Sequence, residues 1–335
     1  IECKGKPREM GRQYGEQAGD LIRRDLELRF PSHKLDADRK PAFAARARKV
    51  LERYDPDLLE EMEGMAEAAG VDAELVLMAN QVDTLGDEAD RCTPVLLRDT
   101  PDGPIIAKNN DGPPHEAYPF LIRKCEPEKG IPFYQVTFAG WFNGLDALNA
   151  EGLANTHGSV GSVFDKSGDR LDIRLRANAL MRTCRTTAEF MAGLDAVPLT
   201  GKGFSIAVGD RSGDTVILDA AVPFVAARDR GKDFAYSTNL FEAQGLENAD
   251  RRPPAKRPVC VYRQGYLRWV EQTRPPKNLA DVKGLLASEE PWAPSRNGGP
   301  HKSVTFWSMI ALPRDGKLLV ADGLPDGENY AAFTF

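Results

Sequence analysis

At residue 92 the texture of the chain changes, and that change limits the fold more than any other feature. Before it, residues 1–91 read as helix. Gly5 to Ile22 sets Gly11, Tyr14, Gly15 and Ala18 on a charged, helix-favouring stretch, where small residues at this spacing let one helix approach another closely. Ala42 to Tyr54 is rich in arginine and alanine. Asp55-Pro56 supplies a cap and a proline at the first helical position. Leu58, Leu59, Met62 and Met65 then share an apolar face until Gly70 stops the helix. Asp72 starts another, through Leu75, Val76, Met78 and Ala79.

From Cys92 onward, strand patterns dominate. Cys92 opens one apolar run, Asp102-Gly103 marks a turn, and a second run ends in Lys108-Asn109-Asn110-Asp111, so the two pair as a hairpin. Further strands are expected at residues 120–123, 133–138, 144–149 and 153–157, with a turn at Asn149 to Gly152. Residues 171–195 are helical, with Thr187 capping their second half, and strands return at 204–208, 215–219 and 234–237. A charged, proline-rich surface loop (241–258), two helices (259–272 and 279–286) and a last hairpin around Asp315-Gly316 complete the chain. Helices, strands, helices and strands again make an α+β layered fold with antiparallel hairpins, not an alternating βαβ series.

With 335 residues the chain can bury a sizeable core as one large or two smaller domains. Its hydrophobic and charged shares, 41% and 28%, are those of a soluble globular protein. A net charge of −6 argues against a nucleic-acid partner, whose binder would be basic. No apolar run nears the roughly 20 residues that span a bilayer, so no membrane partner is expected. No phosphate-cradling glycine loop, zinc-type cysteine spacing or internal repeat occurs, and no metal or cofactor is expected. Five widely spaced cysteines fit reduced thiols better than a disulfide framework. Cytoplasm is the favoured compartment, with secretion or the periplasm the alternative had a signal peptide preceded Ile1.

The hairpin folds a thiol, an ammonium, two amides and a carboxylate into one small volume. A thiol is a good nucleophile only as thiolate, and Lys108 and Arg91 are the cations that sequence and hairpin geometry bring nearest Cys92. The four histidines (His33, His115, His157, His301) lie in unrelated contexts, so no Cys-His pair stands out. Were Cys92 an amino-terminal residue, its own α-amine, with a reference pKa of about 7.7–8.0, would serve as general base.

These residues carry a resemblance. Gly5-Lys6-Pro7-Arg8-Glu9-Met10-Gly11 with Tyr14-Gly15-Glu16-Gln17, then Cys92-Thr93, Asn109-Asn110-Asp111, Leu148 to Leu153, the strands around Asp210 and Asp219, Ser237-Thr238-Asn239 and Gly323-Leu324-Pro325 follow one another in a familiar order. Together they resemble the acyl-CoA:isopenicillin N (6-aminopenicillanic acid) acyltransferase-like family of N-terminal-nucleophile hydrolases, relatives of bile salt hydrolase and penicillin V acylase. The resemblance implies a four-layer αββα sandwich of two antiparallel sheets. It also implies self-cleavage between Arg91 and Cys92, giving a small subunit of residues 1–91 and a large one of 92–335 that together form one domain. The implied chemistry is that of an amidohydrolase or acyltransferase, acting on a small acyl amide or an acyl-CoA-like substrate through a Cys92 thioester.

In that pattern Asp111 orients the amino-terminal nucleophile and Asn239 donates to the oxyanion. Lys108 stands where the relatives carry arginine, keeping the charge without the bidentate fork. Arg263 is the best match to the family's distal arginine, with Arg257 behind it. Arg91 stands where the penicillin acyltransferase has glycine. Trp141 and Phe142 are candidates to line an acyl pocket and His157 to face it; Asn149 reads as a structural turn residue, and Cys125, Cys184 and Cys260 as packing residues. The competing reading is an uncleaved, non-catalytic relative that keeps the fold as a binding or structural protein. Oligomeric state, including a homo-oligomer, is left open.

Overall fold

The structure, a computed structural model, describes residues 1–31, 39–81, 92–164, 166–298 and 303–335. The expectations for His33, Arg91 and His301 lie outside the described residues. Strand β1 (Glu2–Gly5) leads into helices α1 (Pro7–Arg29), α2 (Arg39–Tyr54), α3 (Pro56–Ala69) and α4 (Ala73–Gln81). Strands β2 (Thr93–Leu97), β3 (Ile105–Gly112), β4 (Phe120–Pro127), β5 (Phe133–Phe138), β6 (Ala147–Asn149), β7 (Leu153–Ser159) and β8 (Leu171–Asp172) follow. Helices α5 (Ile173–Thr183) and α6 (Thr187–Asp195) precede β9 (Leu199–Thr200), β10 (Phe204–Asp210), β11 (Thr215–Ala221), β12 (Phe224–Arg228) and β13 (Phe234–Tyr236). Last come α7 (Pro258–Thr273), α8 (Leu279–Ala287), β14 (Val304–Leu312), β15 (Lys317–Asp322) and β16 (Ala331–Thr334).

Two sheets hold the molecule together. The first runs β1-β4-β5-β6-β7-β10-β11-β12 and the second β13-β2-β3-β14-β15-β16. Because successive strand side chains point to opposite faces, each sheet feeds two cores. Ile106 of β3 meets Val136, Ala207 and Ile217 between the sheets, whereas Ile105 and Ala107 turn outward onto Leu267, Val270, Val282 and Leu286 of α7 and α8. On the far side of the first sheet, Ile206 and Val208 pack under Tyr14, Met62 and Phe190 from the other helices. The result is the expected four-layer αββα sandwich, with three apolar seams and strands buried on both faces.

Several local expectations change. Glu2–Gly5 pairs in parallel with β4, Cys3 opposite Cys125, so the first sheet is not wholly antiparallel. The strands β1, β12 and β16 were not anticipated: each is short, at four or five residues. The cap of α6 is Thr186, whose hydroxyl accepts from the Glu189 amide, not Thr187, whose hydroxyl instead donates to the Asp214 carbonyl. The loop 241–258 is not merely surface: Phe241, Leu246 and Ala249 close over Val160 and Ala221 in a small core of their own.

Candidate active site

Cys92 directly precedes β2, and its side chain is buried at the edge of a cavity of about 310 Å³. That volume sits at the lower end of the range usual for small-molecule sites, about 300–1,000 Å³. The cavity lies between the sheets, lined from the second by Cys92, Asn110, Asp111 and Trp307 and from the first by Val136, Asp146, His157 and Phe204. Cys92 Sγ lies 3.5 Å from Asn110 Oδ1 and 3.8 Å from the Asp111 carbonyl oxygen.

Arg263 ties the neighbourhood together. From α7 its guanidinium donates to the Cys92 carbonyl at 2.7 Å, to Thr93 Oγ1 at 2.8 Å and to Asn239 Oδ1 at 2.7 Å. The fork of an arginine suits this three-way grip, which a lysine's point charge would not reproduce. Asn239 arrives because the β2–β13 pairing continues past β13, the Ser237 amide donating to the Pro94 carbonyl at 3.0 Å. Asn239 has φ +64°, a left-handed conformation that asparagine tolerates better than most residues. Its Nδ2 donates to the Ser159 carbonyl at 2.8 Å, joining the strand end of one sheet to the other. Arg257 does not reach this site; it holds the carbonyls of Asp250 and Arg252.

Asp111 is anchored by one oxygen. Thr305 Oγ1 donates to its Oδ1 at 2.7 Å across the β3–β14 pairing, while the buried Oδ2 has no hydrogen-bond partner among the described residues. Burial raises the carboxyl to about 7, against the opposing pull of Thr305 and the charges of Arg296, Arg263 and Lys108. A buried carboxyl with one vacant oxygen beside a cysteine is a ready acceptor for a nearby ammonium.

Lys108 requires a correction. On β3 its side chain shares the inter-sheet face with Ile106 and Asn110, and it crosses the gap to Asp146 Oδ2 at 2.8 Å and to the His157 carbonyl at 3.0 Å. Its charge is thereby bound to a carboxylate of the opposite sheet, and the guanidinium that touches Cys92 is that of Arg263. Phe142 also leaves the pocket set: it packs edge-on to Tyr14, ring centroids 5.6 Å apart, in the helix-side core. Trp141 does line the cavity, its Nε1 donating to Asp25 Oδ2 at 3.2 Å. Asn149 is structural as expected, its amide donating to the Met181 and Cys184 carbonyls.

His157 was expected to face the pocket, and it lines the cavity from β7. Its Nδ1 stands 3.0 Å from the Leu145 carbonyl and 3.2 Å from Asp146 Oδ1. Burial, with a smaller push from the Lys108 ammonium, lowers its basicity against the pull of Asp146. Burial raises the Asp146 carboxyl, but His157 and Lys108 outweigh it and hold the group below its ordinary value. Sequence reasoning missed Asp146 and Thr305, and it gathered Asn110 near Cys92 without giving it a role. Period-two alternation from Lys108 puts Asn110 on the inter-sheet face; nothing local marks Asp146 or Thr305.

No protein-family profile matches the chain. No curated protein matches it either. Solved structures similar to it include a mutant of conjugated bile acid hydrolase from Clostridium perfringens, 11% identical with a TM-score of 0.45, covering 73% of this chain and 92% of that one. Penicillin V acylase from Agrobacterium tumefaciens is 14% identical with a TM-score of 0.38, over 69% and 82% of the two chains. A Caenorhabditis elegans ortholog of N-acylethanolamine-hydrolyzing acid amidase is 13% identical with a TM-score of 0.47, over 73% and 100%.

Proposed function

We propose that this protein is an amidohydrolase whose nucleophile is Cys92 and which matures by cutting its own chain between Arg91 and Cys92. The observation that carries the reading is the grip of Arg263 on Cys92, Thr93 and Asn239 at the edge of a cavity that also takes in Asp111. In maturation the Cys92 thiol attacks the Arg91 carbonyl, the peptide C–N bond breaks, and the acyl group passes to sulfur. The α-amine is freed as that bond breaks; water then hydrolyses the thioester, leaving Arg91 as a carboxylic acid and Cys92 with a free thiol.

In turnover the thiol attacks the carbonyl of a small acyl amide while the α-amine takes its proton. Asp111 Oδ2 holds that amine as it becomes an ammonium. Asn239 Nδ2, which keeps a second hydrogen beyond the one given to Ser159, donates to the oxyanion. The leaving amine takes the proton, and a thioester remains on Cys92. Water releases the acid; an acyltransferase would differ in admitting an amine at this step.

An intact mass spectrum tests the maturation. Two species, residues 1–91 and 92–335, are expected from the wild type. Cys92→Ala should give one uncut, inactive chain, whereas Cys125→Ala should be cut and active. Splitting of the Cys92→Ala chain at 91/92 would remove Cys92 as nucleophile, and a single uncut but active wild-type species would remove the α-amine mechanism.

A further inference from the structure

The sequence marked His157 only as a residue facing the pocket and paired no histidine with Cys92, yet the fold places both in the same cavity. Cys92 lines it from the second sheet and His157 from the first. The surroundings of the imidazole fix its tautomer. Nδ1 faces two acceptors, the Leu145 carbonyl at 3.0 Å and Asp146 Oδ1 at 3.2 Å, so the ring proton resides on Nδ1. Lys108 Nζ stands farther from Nδ1, at 3.5 Å, and gives its hydrogens to Asp146 and the His157 carbonyl instead. Nε2 then carries the lone pair, and it has no hydrogen-bond partner among the described residues. The ring itself is fixed, seated edge-on against Phe204 with centroids 5.2 Å apart.

Asp146 is in turn held by Thr156 Oγ1 at 2.7 Å and by Lys108 at 2.8 Å, so the orienting carboxylate cannot swing away. A neutral imidazole, oriented through Nδ1 by a fixed carboxylate and open at Nε2, has the build of a general base.

We propose that His157 is the base that activates water against the Cys92 thioester. Water attacks the thioester carbonyl carbon as Nε2 takes one of its protons. The tetrahedral intermediate collapses, the C–S bond breaks, and the departing thiolate takes the proton back from Nε2, leaving the carboxylic acid. Asp146 is a positioning residue that holds the tautomer. The inference rests on Cys92 being the nucleophile, and it divides the labour: the α-amine serves acylation and His157 serves deacylation.

The test uses p-nitrophenyl butyrate, which can load Cys92 whatever the natural acyl group is. In the wild type, nitrophenol release followed by decay of a butyryl adduct on Cys92 is expected by mass spectrometry. His157→Gln should acylate at a similar rate but lose the adduct about 10²–10³-fold more slowly. His157→Ala should regain speed on addition of free imidazole, which a merely structural role would not permit. Adduct decay at the wild-type rate in the His157→Gln protein overturns the inference and leaves the Cys92 reading standing. Nitrophenol release from the Cys92→Ala protein at the wild-type rate overturns the Cys92 reading itself. Should both variants fail to fold, wild-type decay decides: a solvent deuterium isotope effect near one and no loss of rate on acidification overturn the base.

Discussion

Asp111 is where the chemistry of a single residue reaches furthest. Its carboxyl titrates near 4 in the unfolded chain and at about 7 in the fold, so the folded state binds the proton more tightly. The stabilising contribution is fully present below the unfolded value and is lost as pH rises through about 7. In the uncut Cys92→Ala chain, urea midpoints should therefore fall between pH 4.5 and pH 8. Adding Asp111→Asn should remove part of that fall, on the order of a few kcal/mol. Equal slopes with and without the carboxyl would refute the burial argument. Part of the residue constellation was legible: Cys92, Asp111 and Asn239 stood out by motif and order, whereas Arg263 was one of two candidate arginines with no clear motif, and the fold brings all four together. Lys108 misled because hairpin proximity says which residues are near, not which face they leave from. Asp146, Thr305 and the tautomer of His157 depend on pairings across strands and across sheets, which no local pattern encodes.

At the scale of elements, the tightest contact is the crossing of α1 and α3. A Cβ on Gly11 would come within 1.9 Å of the Glu61 carbonyl oxygen, and one on Gly64 within 2.4 Å of that of Arg8. Backbone cannot yield as a side-chain tip can, so Gly11→Ala should cost at least about 1–3 kcal/mol, read as a lower urea midpoint. The control is Gly265→Ala, exposed on α7 with open space around it, which should be neutral or stabilising by up to about 1 kcal/mol. A Gly11→Ala protein as stable as the wild type would mean the helices part easily. Here the small-residue spacing on Gly5 to Ile22 was legible as a close approach, though its partner helix was not. Strands such as Ala331–Thr334 escaped notice because they are short and exposed, and only pairing with β15 defines them.

At the scale of the molecule, the helices of the amino-terminal segment supply much of one outer layer. Tyr14, Ile22, Met62 and Leu77 share a core with Phe133, Ile206 and Leu218 from the rest of the chain. Removing that layer would expose far more apolar surface than a soluble monomer tolerates. Material cut at 91/92 should therefore run as two bands in detergent but elute as one particle of full size from a gel-filtration column. Loss of the smaller piece on that column would refute the shared core. The α+β class was legible in the order of strand and helix patterns, and the four layers only through the family resemblance; the sheet order was not, since it is set by contacts far apart in sequence.

The parallel pairing of β1 with β4 gives this a sharper edge. The first five residues are threaded beside a strand that begins almost 30 residues beyond Cys92. A break before Cys92 would thus change the connectivity of the molecule without loosening its weave. The amino-terminal segment would persist as a resident subunit in one-to-one stoichiometry, not depart as a discarded leader.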